Sequence, residues 1–533
     1  MRVGSLSAAA ITTLLACSTV TAAEPRIGNF VKYDTGDFVI ITSRSASQAR
    51  ELMQKLAKFR LTLEKVLGKR AAKSGIGTLI FITSSSDWDK YLRPRQNVAG
   101  FFQRARFDNY MALDGDAGEF AMYVMFHEYT HFYLSSQFSG EYPPWFNEGM
   151  AELMAYAKFT GNRVVLQIPG FRKAEARDSD WIPFDRLIKV DQNSPEYQNH
   201  QMADAFYAQA WLTVHYGMVE ERAFGRQMLE YLNQLNTLVP QEEATRKAFG
   251  DLGVIDDKLR AHSRANNFGS GTMDLGEVPE IVLPAPKPLD DSDALAALVD
   301  VMLVAHIAPD RIRPLIESLK RLAPNSARSY ILAARLADFA DDPVAFDAAI
   351  NKAETLLVAG DALSRRQFAS VLLSRAISFS PLSPRKKEDD ERDLRRAVKR
   401  FGEAITIDSG DAEALWGLGT GLTRLDRQLD LADTALQAAY VRIPASAAIS
   451  MALADLKGLE QKPDEMIPYL KDTIRFASDR STRQWATDTL AQTQEFLRAR
   501  DKTAAENKKQ REQYEKDLAE YEKKYGKAKK KKS

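Results

Sequence analysis

Two histidines that stand four positions apart constrain the fold of this chain more than any other feature. They lie at the ends of residues 127–131, which read His-Glu-Tyr-Thr-His within a largely apolar run. Residues four apart share one face of a helix, so both imidazoles can reach one metal ion. The pattern predicts a buried helix that carries two metal ligands. The alternative is a structural helix on which Glu128 is an exposed carboxylate.

A second segment supplies a third ligand. Residues 143–152 read Pro-Pro-Trp-Phe-Asn-Glu-Gly-Met-Ala-Glu, and the prolines allow the chain to turn back towards the first helix. A catalytic zinc has three protein ligands and one open position for water. We therefore expect Glu148 to complete a set with His127 and His131.

Two further carboxylates have expected roles at this site. Glu128 is expected to take a proton from a zinc-bound water as that water attacks a carbonyl group. Glu152 lies one helical turn after Glu148, and we expect it to accept the outer N–H of a ligand histidine. The alternative for both carboxylates of the second segment is ordinary surface charge.

Together the two segments resemble the gluzincin zinc metallopeptidases, in particular the bacterial peptidase MA-like type. The resemblance covers about Phe38 to Ala265. It implies Zn²⁺ as the cofactor, a peptide or protein as the substrate, and the ligand and base roles given above. Residues 109–113 read Asn-Tyr-Met-Ala-Leu and lack the Gly-x-Met-Glu-Asn signature of zinc aminopeptidases, which argues against an aminopeptidase of that type.

A peptidase also needs a donor that stabilises the developing oxyanion. Tyr207 is the candidate, because it resembles the position at which related enzymes place a tyrosine beyond the zinc site; a packing aromatic is the alternative. His215, two helical turns further on, is the second candidate. His200, His262 and His306 show no partner pattern and are interpreted as incidental.

The N-terminal half predicts a small mixed sheet beside helices. Apolar and β-branched runs predict strands, and apolar stripes at helical spacing predict helices. The expected order is a strand at 36–44, a helix at 47–67, a strand at 78–83, a hairpin at 101–113 and helices to about 265.

Beyond Leu289 the chain is rich in Ala and Leu, with few strand signals. With Glu413 as position 1 of a 34-residue unit, Trp416, Ala432, Ala439 and Pro444 fall at positions 4, 20, 27 and 32, where tetratricopeptide repeats typically have Trp, Ala, Ala and Pro. The segment therefore resembles such repeats. A generic helical bundle is the alternative.

These patterns predict an α+β metallopeptidase domain, made of a small mixed sheet and a helical lobe, followed by an all-α helical-repeat domain. The expected divisions are a signal peptide at 1–23, the zinc metallopeptidase domain at 24–268, a Pro-rich linker at 269–289, helical repeats at 290–497 and a charged Lys/Glu-rich tail at 498–533.

The N-terminus and the overall charge limit where the protein acts. Arg2 followed by a short apolar run and small residues up to Ala23 is typical of a secretory signal, which predicts an exported, periplasmic or extracellular protein. The single cysteine, Cys17, is either removed with that signal or lipidated, and only lipidation would associate the chain with a membrane. Lys and Arg total 73 against 72 Asp and Glu, so no nucleic-acid partner is expected.

Two functions compete at this point. The main hypothesis is a secreted zinc-dependent peptidase that hydrolyses peptide bonds through a zinc-activated water, with Glu128 as the general base. The alternative is a non-catalytic envelope scaffold that uses its helical repeats to bind protein partners.

Overall fold

The computed structural model describes residues 28–36, 38–67, 77–93, 99–137, 142–191, 193–377, 386–477 and 479–529. The predicted signal peptide, with Cys17, lies outside these ranges, as do the last four residues of the predicted tail. Within them the chain is mostly helical and carries two small sheets. No helix in the described part of the chain combines the length and apolarity needed to cross a membrane.

The larger sheet has six strands in the order β4-β5-β3-β2-β1-β9. Its strands are β1 (Val31–Asp34), β2 (Phe38–Thr42), β3 (Gly77–Thr83), β4 (Gly100–Arg104), β5 (Asp108–Asp114) and β9 (Lys287–Pro288). β2, β3 and β5 are parallel, whereas β1, β4 and β9 pair antiparallel. Their β-branched and aromatic residues suit strands that are covered on both faces. The predicted strands and hairpin agree with this sheet.

A second sheet joins β6 (Ala157–Thr160), β7 (Arg163–Leu166) and β8 (Gly271–Asp274). β8 and β9 both come from the segment predicted as a Pro-rich linker. β8 pairs with β7 at the edge of the smaller sheet, and β9 pairs with β1 at the edge of the larger sheet. Extended backbone of this kind pairs at sheet edges, where proline is tolerated.

Helices α1 to α11 accompany the sheets. They are α1 (Ala46–Leu67), α2 (Ser85–Asp87), α3 (Glu119–Gln137), α4 (Pro144–Ala155), α5 (Gly170–Asp178), α6 (Phe184–Leu187), α7 (Pro195–Gln198), α8 (His200–His215), α9 (Arg222–Asn236), α10 (Gln241–Phe249) and α11 (Leu252–Ser263). Two π-helical turns follow α2 and α8, at Trp88–Leu92 and Tyr216–Glu220.

Ten helices then form five consecutive pairs in the part of the chain that the structure describes. They are α12 (Asp291–Val304), α13 (Pro309–Leu322), α14 (Ala327–Phe339), α15 (Pro343–Thr355), α16 (Ala362–Ile377), α17 (Lys387–Ile407), α18 (Ala412–Arg424), α19 (Leu429–Arg442), α20 (Ala447–Leu459) and α21 (Pro463–Phe476). Each even-numbered helix packs on the next, and successive even-numbered helices also contact one another. The prediction of helical repeats is confirmed.

The residues that indicated the repeat are buried between these helices. Trp416 lies in α18, and Ala432 and Ala439 lie in α19, all with almost no exposed surface. A Cβ atom at Gly417 would overlap the ring of Phe401 in α17. The small residues therefore allow the close helix contacts on which stacked pairs depend.

The last helix, α22 (Arg480–Lys529), packs on α21 and then continues beyond the repeats. Every described side chain from 498 to 524 is exposed. The segment predicted as a charged tail thus continues the helix that precedes it, and Glu and Lys at helical spacing support such an exposed helix.

Each face of the six-stranded sheet covers a different hydrophobic core. Ile41 and Phe81 point to one face and pack with the repeat helices. Their neighbours Ile40, Ile80 and Ile82 point to the other face and pack with α1, α3, α4 and α8. Because side chains alternate along a strand, one sheet joins both helical layers.

We expect Gly149→Ala to destabilise the fold. A Cβ atom there would collide with the backbone of Ala210 in α8 and lie 2.7 Å from Val214 Cγ2. Overpacking of this kind costs about 1–3 kcal/mol of unfolding free energy, measured by urea denaturation. Gly170→Ala is the control, because no atom lies within 4 Å of its added Cβ, and it should change stability by less than about 0.5 kcal/mol. Equal effects of the two substitutions would contradict the close α4–α8 contact.

Candidate metal centre

Two neighbouring helices bring the predicted ligands together. α3 carries His127 and His131, and α4 carries Glu148. Pro144 occupies the first turn of α4, where a missing N–H is tolerated, so the proline pair starts this helix as well as turning the chain. Trp145 is fully buried and anchors the start of α4 in the core.

The three side chains converge on one point. The Nε2 atoms of His127 and His131 are 3.1 Å apart, and each is 3.5 Å from Glu148 Oε2. The two imidazole rings lie at 81° to each other. A triangle with these edges surrounds an ion at the 2.0–2.2 Å typical of zinc bonded to nitrogen and oxygen. Glu148 Oε2 is buried and has no hydrogen-bond partner, so the residues fit a zinc ion.

The charges of the cluster are strongly coupled. Burial alone would raise the pKa of Glu148, but His131 and His127 outweigh burial and lower it far below the usual range. Burial alone would lower the pKa of His131, whereas Glu148 and Glu128 raise it to about 9. The carboxylate is therefore ionised over the whole neutral range, as a metal ligand must be.

Two neighbouring residues, which were not predicted from the sequence, orient the predicted ligands. Asn147 Oδ1 lies 3.1 Å from His131 Nδ1 and accepts its N–H, so Nε2 is the nitrogen that would release its proton to bind a metal. The hydroxyl of Tyr197, in α7, donates to Glu148 Oε1 at 2.9 Å. Asn147 is adjacent to Glu148 and could have been suspected, but no sequence signal points to Tyr197, 49 residues away.

Glu152 lies beside the site but makes different contacts from those expected. Its Oε1 is 3.6 Å from His127 Nδ1, beyond hydrogen-bonding distance, and His127 Nδ1 has no hydrogen-bond partner. Arg172 instead donates to both carboxylate oxygens at 3.0 Å, and Tyr123 donates to Oε1 at 2.8 Å. Glu152 therefore ties α4 to α5 and places a negative charge near His127.

Glu128 and Tyr207 also lie close to the ligands. Glu128 is half-buried on α3 and acts electrostatically on His131. Tyr207 on α8 is half-buried, with its ring 6.3 Å from that of Tyr197, and burial and the charge of Glu148 raise its pKa. Their predicted roles as base and oxyanion donor stay predictions.

His215, the second candidate for an oxyanion donor, is fully engaged elsewhere. Its Nε2 lies 2.9 Å from the carbonyl oxygen of Gly269, and its Nδ1 lies 3.3 Å from His262 Nε2. The two rings are nearly parallel, at 9°, with centroids 5.5 Å apart, so they meet edge to edge as in an N–H···N hydrogen bond. His262, interpreted as incidental, is thus the partner of His215.

The sequence matches no protein family, and it matches no curated protein. Solved structures that match include tetratricopeptide-repeat proteins. One is YrrB, described as a TPR protein with an unusual peptide-binding site, with 14% identity, a TM-score of 0.28, and coverage of 37% of this chain and 92% of that one. A thermophilic TPR protein of Thermus thermophilus, TTC0263, has 17% identity and a TM-score of 0.30, and the match covers 38% of this chain and 99% of that one. Yeast Tom70 has 14% identity and a TM-score of 0.30, and the match covers 85% of this chain and 84% of that one.

The main function predicted from the sequence is corrected by these findings. Hydrolysis by a secreted zinc peptidase is not supported: the findings are in better agreement with the scaffold alternative, and nothing among them supports a gluzincin domain. Three converging ligands fit a metal ion, but they do not by themselves form a substrate cleft. Cavities of about 310 and 460 Å³ lie elsewhere, and neither is lined by a predicted ligand. The assignment of the chain as an enzyme is untested and stays a prediction.

We expect Arg172→Ala to destabilise the protein by about 3–5 kcal/mol, because it leaves the buried carboxylate of Glu152 without its cationic partner. Urea denaturation of the purified protein measures this change. Arg177→Ala is the matched control on the same helix, since Arg177 and its partner Asp178 are exposed, and it should leave stability unchanged. A stable Arg172→Ala variant would show that Glu152 needs no partner.

Proposed function

We propose that this protein is a scaffold whose helical repeats bind a protein partner along their inner face. The observation that carries this proposal is a cavity of about 460 Å³ between the repeats and the β4–β5 hairpin. Residues of α12, α14, α16 and α18, the first helices of four successive pairs, line it. An exported location is part of the proposal and rests on the signal-like N-terminal sequence.

The cavity offers a polar group suited to a polypeptide. Gln367 Oε1 is buried and has no hydrogen-bond partner, and its side chain lines the cavity. Arg366 also lines the cavity, but its guanidinium is paired with Asp411 at 3.5 Å and with Glu413 at 3.2 Å. A peptide N–H would donate to Gln367 Oε1, and an unpaired buried acceptor of this kind favours a ligand that satisfies it.

An exposed aromatic residue also lines the cavity. Phe339, at the end of α14, is 41% exposed, with its ring 5.7 Å from that of His306. Exposed aromatic side chains beside unpaired polar groups are typical of surfaces that bind protein segments. Polar and apolar groups together therefore support peptide binding on this face.

We expect Phe339→Ala to weaken partner binding at least tenfold. The test selects peptides from a displayed random library on the full chain and measures their dissociation constants for each variant. Leu431→Ala is the matched control, because Leu431 is 45% exposed on α19, a second helix of its pair, and does not line the cavity. Peptides that bind both variants as tightly as the wild type would place the binding surface elsewhere.

We also propose that His127, His131 and Glu148 hold a zinc ion that fastens α3 to α4. The convergence of the three ligand atoms and the unpartnered Glu148 Oε2 support this assignment. When bound, zinc would neutralise the buried carboxylate and link two helices of the core. A ligand that binds only the folded state stabilises that state by mass action.

We expect one zinc ion per chain by mass spectrometry of the purified protein, and a lower thermal midpoint after chelation. Glu148→Gln should lose the metal on dialysis, since it replaces an anionic ligand by a neutral amide. Glu128→Gln is the matched control, because it makes the same change beside the ligand set and should retain zinc. Equal zinc in both variants would refute the assignment of Glu148 as a ligand.

A further inference from the structure

The tip of the β4–β5 hairpin is buried where hairpin tips are usually exposed. Residues 105–107 join the two strands, and Phe107 is only 6% exposed. Turns normally carry small or polar residues that face water. An aromatic residue at this position, with its surface covered, shows that the tip is seated against another part of the protein.

That other part is the inner face of the repeats. The ring of Phe107 lies 5.1 Å from that of Trp416 in α18. The guanidinium of Arg106 lies over the same indole, 4.6 Å from its centroid. Both residues also line the cavity described above. The hairpin tip therefore lies in the groove where a partner segment is proposed to bind.

Opposite charges occur on the two sides of this contact. Burial lowers the pKa of Arg106, and the attraction of Glu413, one turn before Trp416 on α18, opposes that shift. Burial raises the pKa of Asp108, directly after Phe107, to about 6; Arg366 on α16 attracts this carboxylate, whereas Glu413, Asp300 and Asp411 repel it. Arg366 and Glu413 are themselves 3.2 Å apart and form a pair of opposite charges. A basic, an aromatic and an acidic residue of the tip thus face an acidic, an aromatic and a basic residue of the groove.

We propose that the hairpin tip is an internal ligand of the repeat groove, and that a partner is recognised through a turn carrying the same succession of a basic, an aromatic and an acidic residue. This inference rests on the proposed function, because it names the partner chemistry of that groove. The tip and the partner segment compete for Trp416, and binding of the partner displaces the tip.

The test uses the full chain and a fluorescent cyclic peptide with the sequence of residues 103–110, Gln-Arg-Ala-Arg-Phe-Asp-Asn-Tyr. The double substitution Arg106→Ala with Phe107→Ala removes the competing tip. We expect this variant to bind the peptide at least tenfold more tightly than the wild type by fluorescence anisotropy. Adding Trp416→Ala should abolish the gain, and a scrambled peptide should not bind.

A second variant guards against loss of folding, because Phe107 is part of the core. Arg106 is exposed, so Arg106→Glu should leave the fold intact by circular dichroism while Glu413 repels the altered tip. It should bind the peptide more tightly than the wild type, by a smaller factor than the double variant. This order of affinities is expected only if the tip occupies the groove.

The outcomes separate this inference from the proposed function. If the cyclic peptide binds no variant, or binds all of them equally, while library-selected peptides still depend on Phe339, the internal ligand is refuted and the scaffold function stands. If library-selected peptides also ignore Phe339, both proposals fail.

Discussion

The six-stranded sheet is the constraint on which the rest of the structure depends. Its central strands are buried on both faces, so each strand contributes alternate side chains to two cores. The repeat helices cover one face, and the helices that carry the proposed metal ligands cover the other. A change of strand register by one residue would exchange Ile40 with Ile41 and disrupt both cores at once. The two helical layers are therefore positioned by the same set of strands.

This shared sheet explains why some features could be predicted and others could not. His127 and His131 were predictable because they are four residues apart on one helix. The repeats were predictable because Ala432 and Ala439 fall at positions 20 and 27 of a 34-residue unit, where tetratricopeptide repeats typically have Ala. Local periodicity records such features. Tyr197 and Arg172 reach Glu148 and Glu152 from other elements, and no spacing in the sequence encodes those contacts.

The β4–β5 hairpin also makes a contact between distant elements that the spacing of residues in the sequence does not predict. The hairpin was predicted from the loose alternation of residues between Phe101 and Leu113, with its turn near Phe107, but an aromatic residue at the turn conflicts with the usual composition of a turn. Such local conflicts concentrate where a residue serves a contact outside its own element. The contact with Trp416 lies more than 300 positions away in the sequence, and only the sheet that joins the two cores brings it about.

The two histidine pairs show why proximity alone does not define a metal site. His127 and His131 have nitrogens 3.1 Å apart in rings at 81°, so their lone pairs converge beside a carboxylate oxygen that lacks a partner. His215 and His262 are nearly as close, at 3.3 Å, but their parallel rings meet edge to edge. In the second pair His215 Nδ1 and His262 Nε2 point at each other, and a single proton between them forms a hydrogen bond that involves both nitrogens. Ring orientation and an unpartnered carboxylate oxygen therefore favour a metal ion at the first pair and a hydrogen bond at the second.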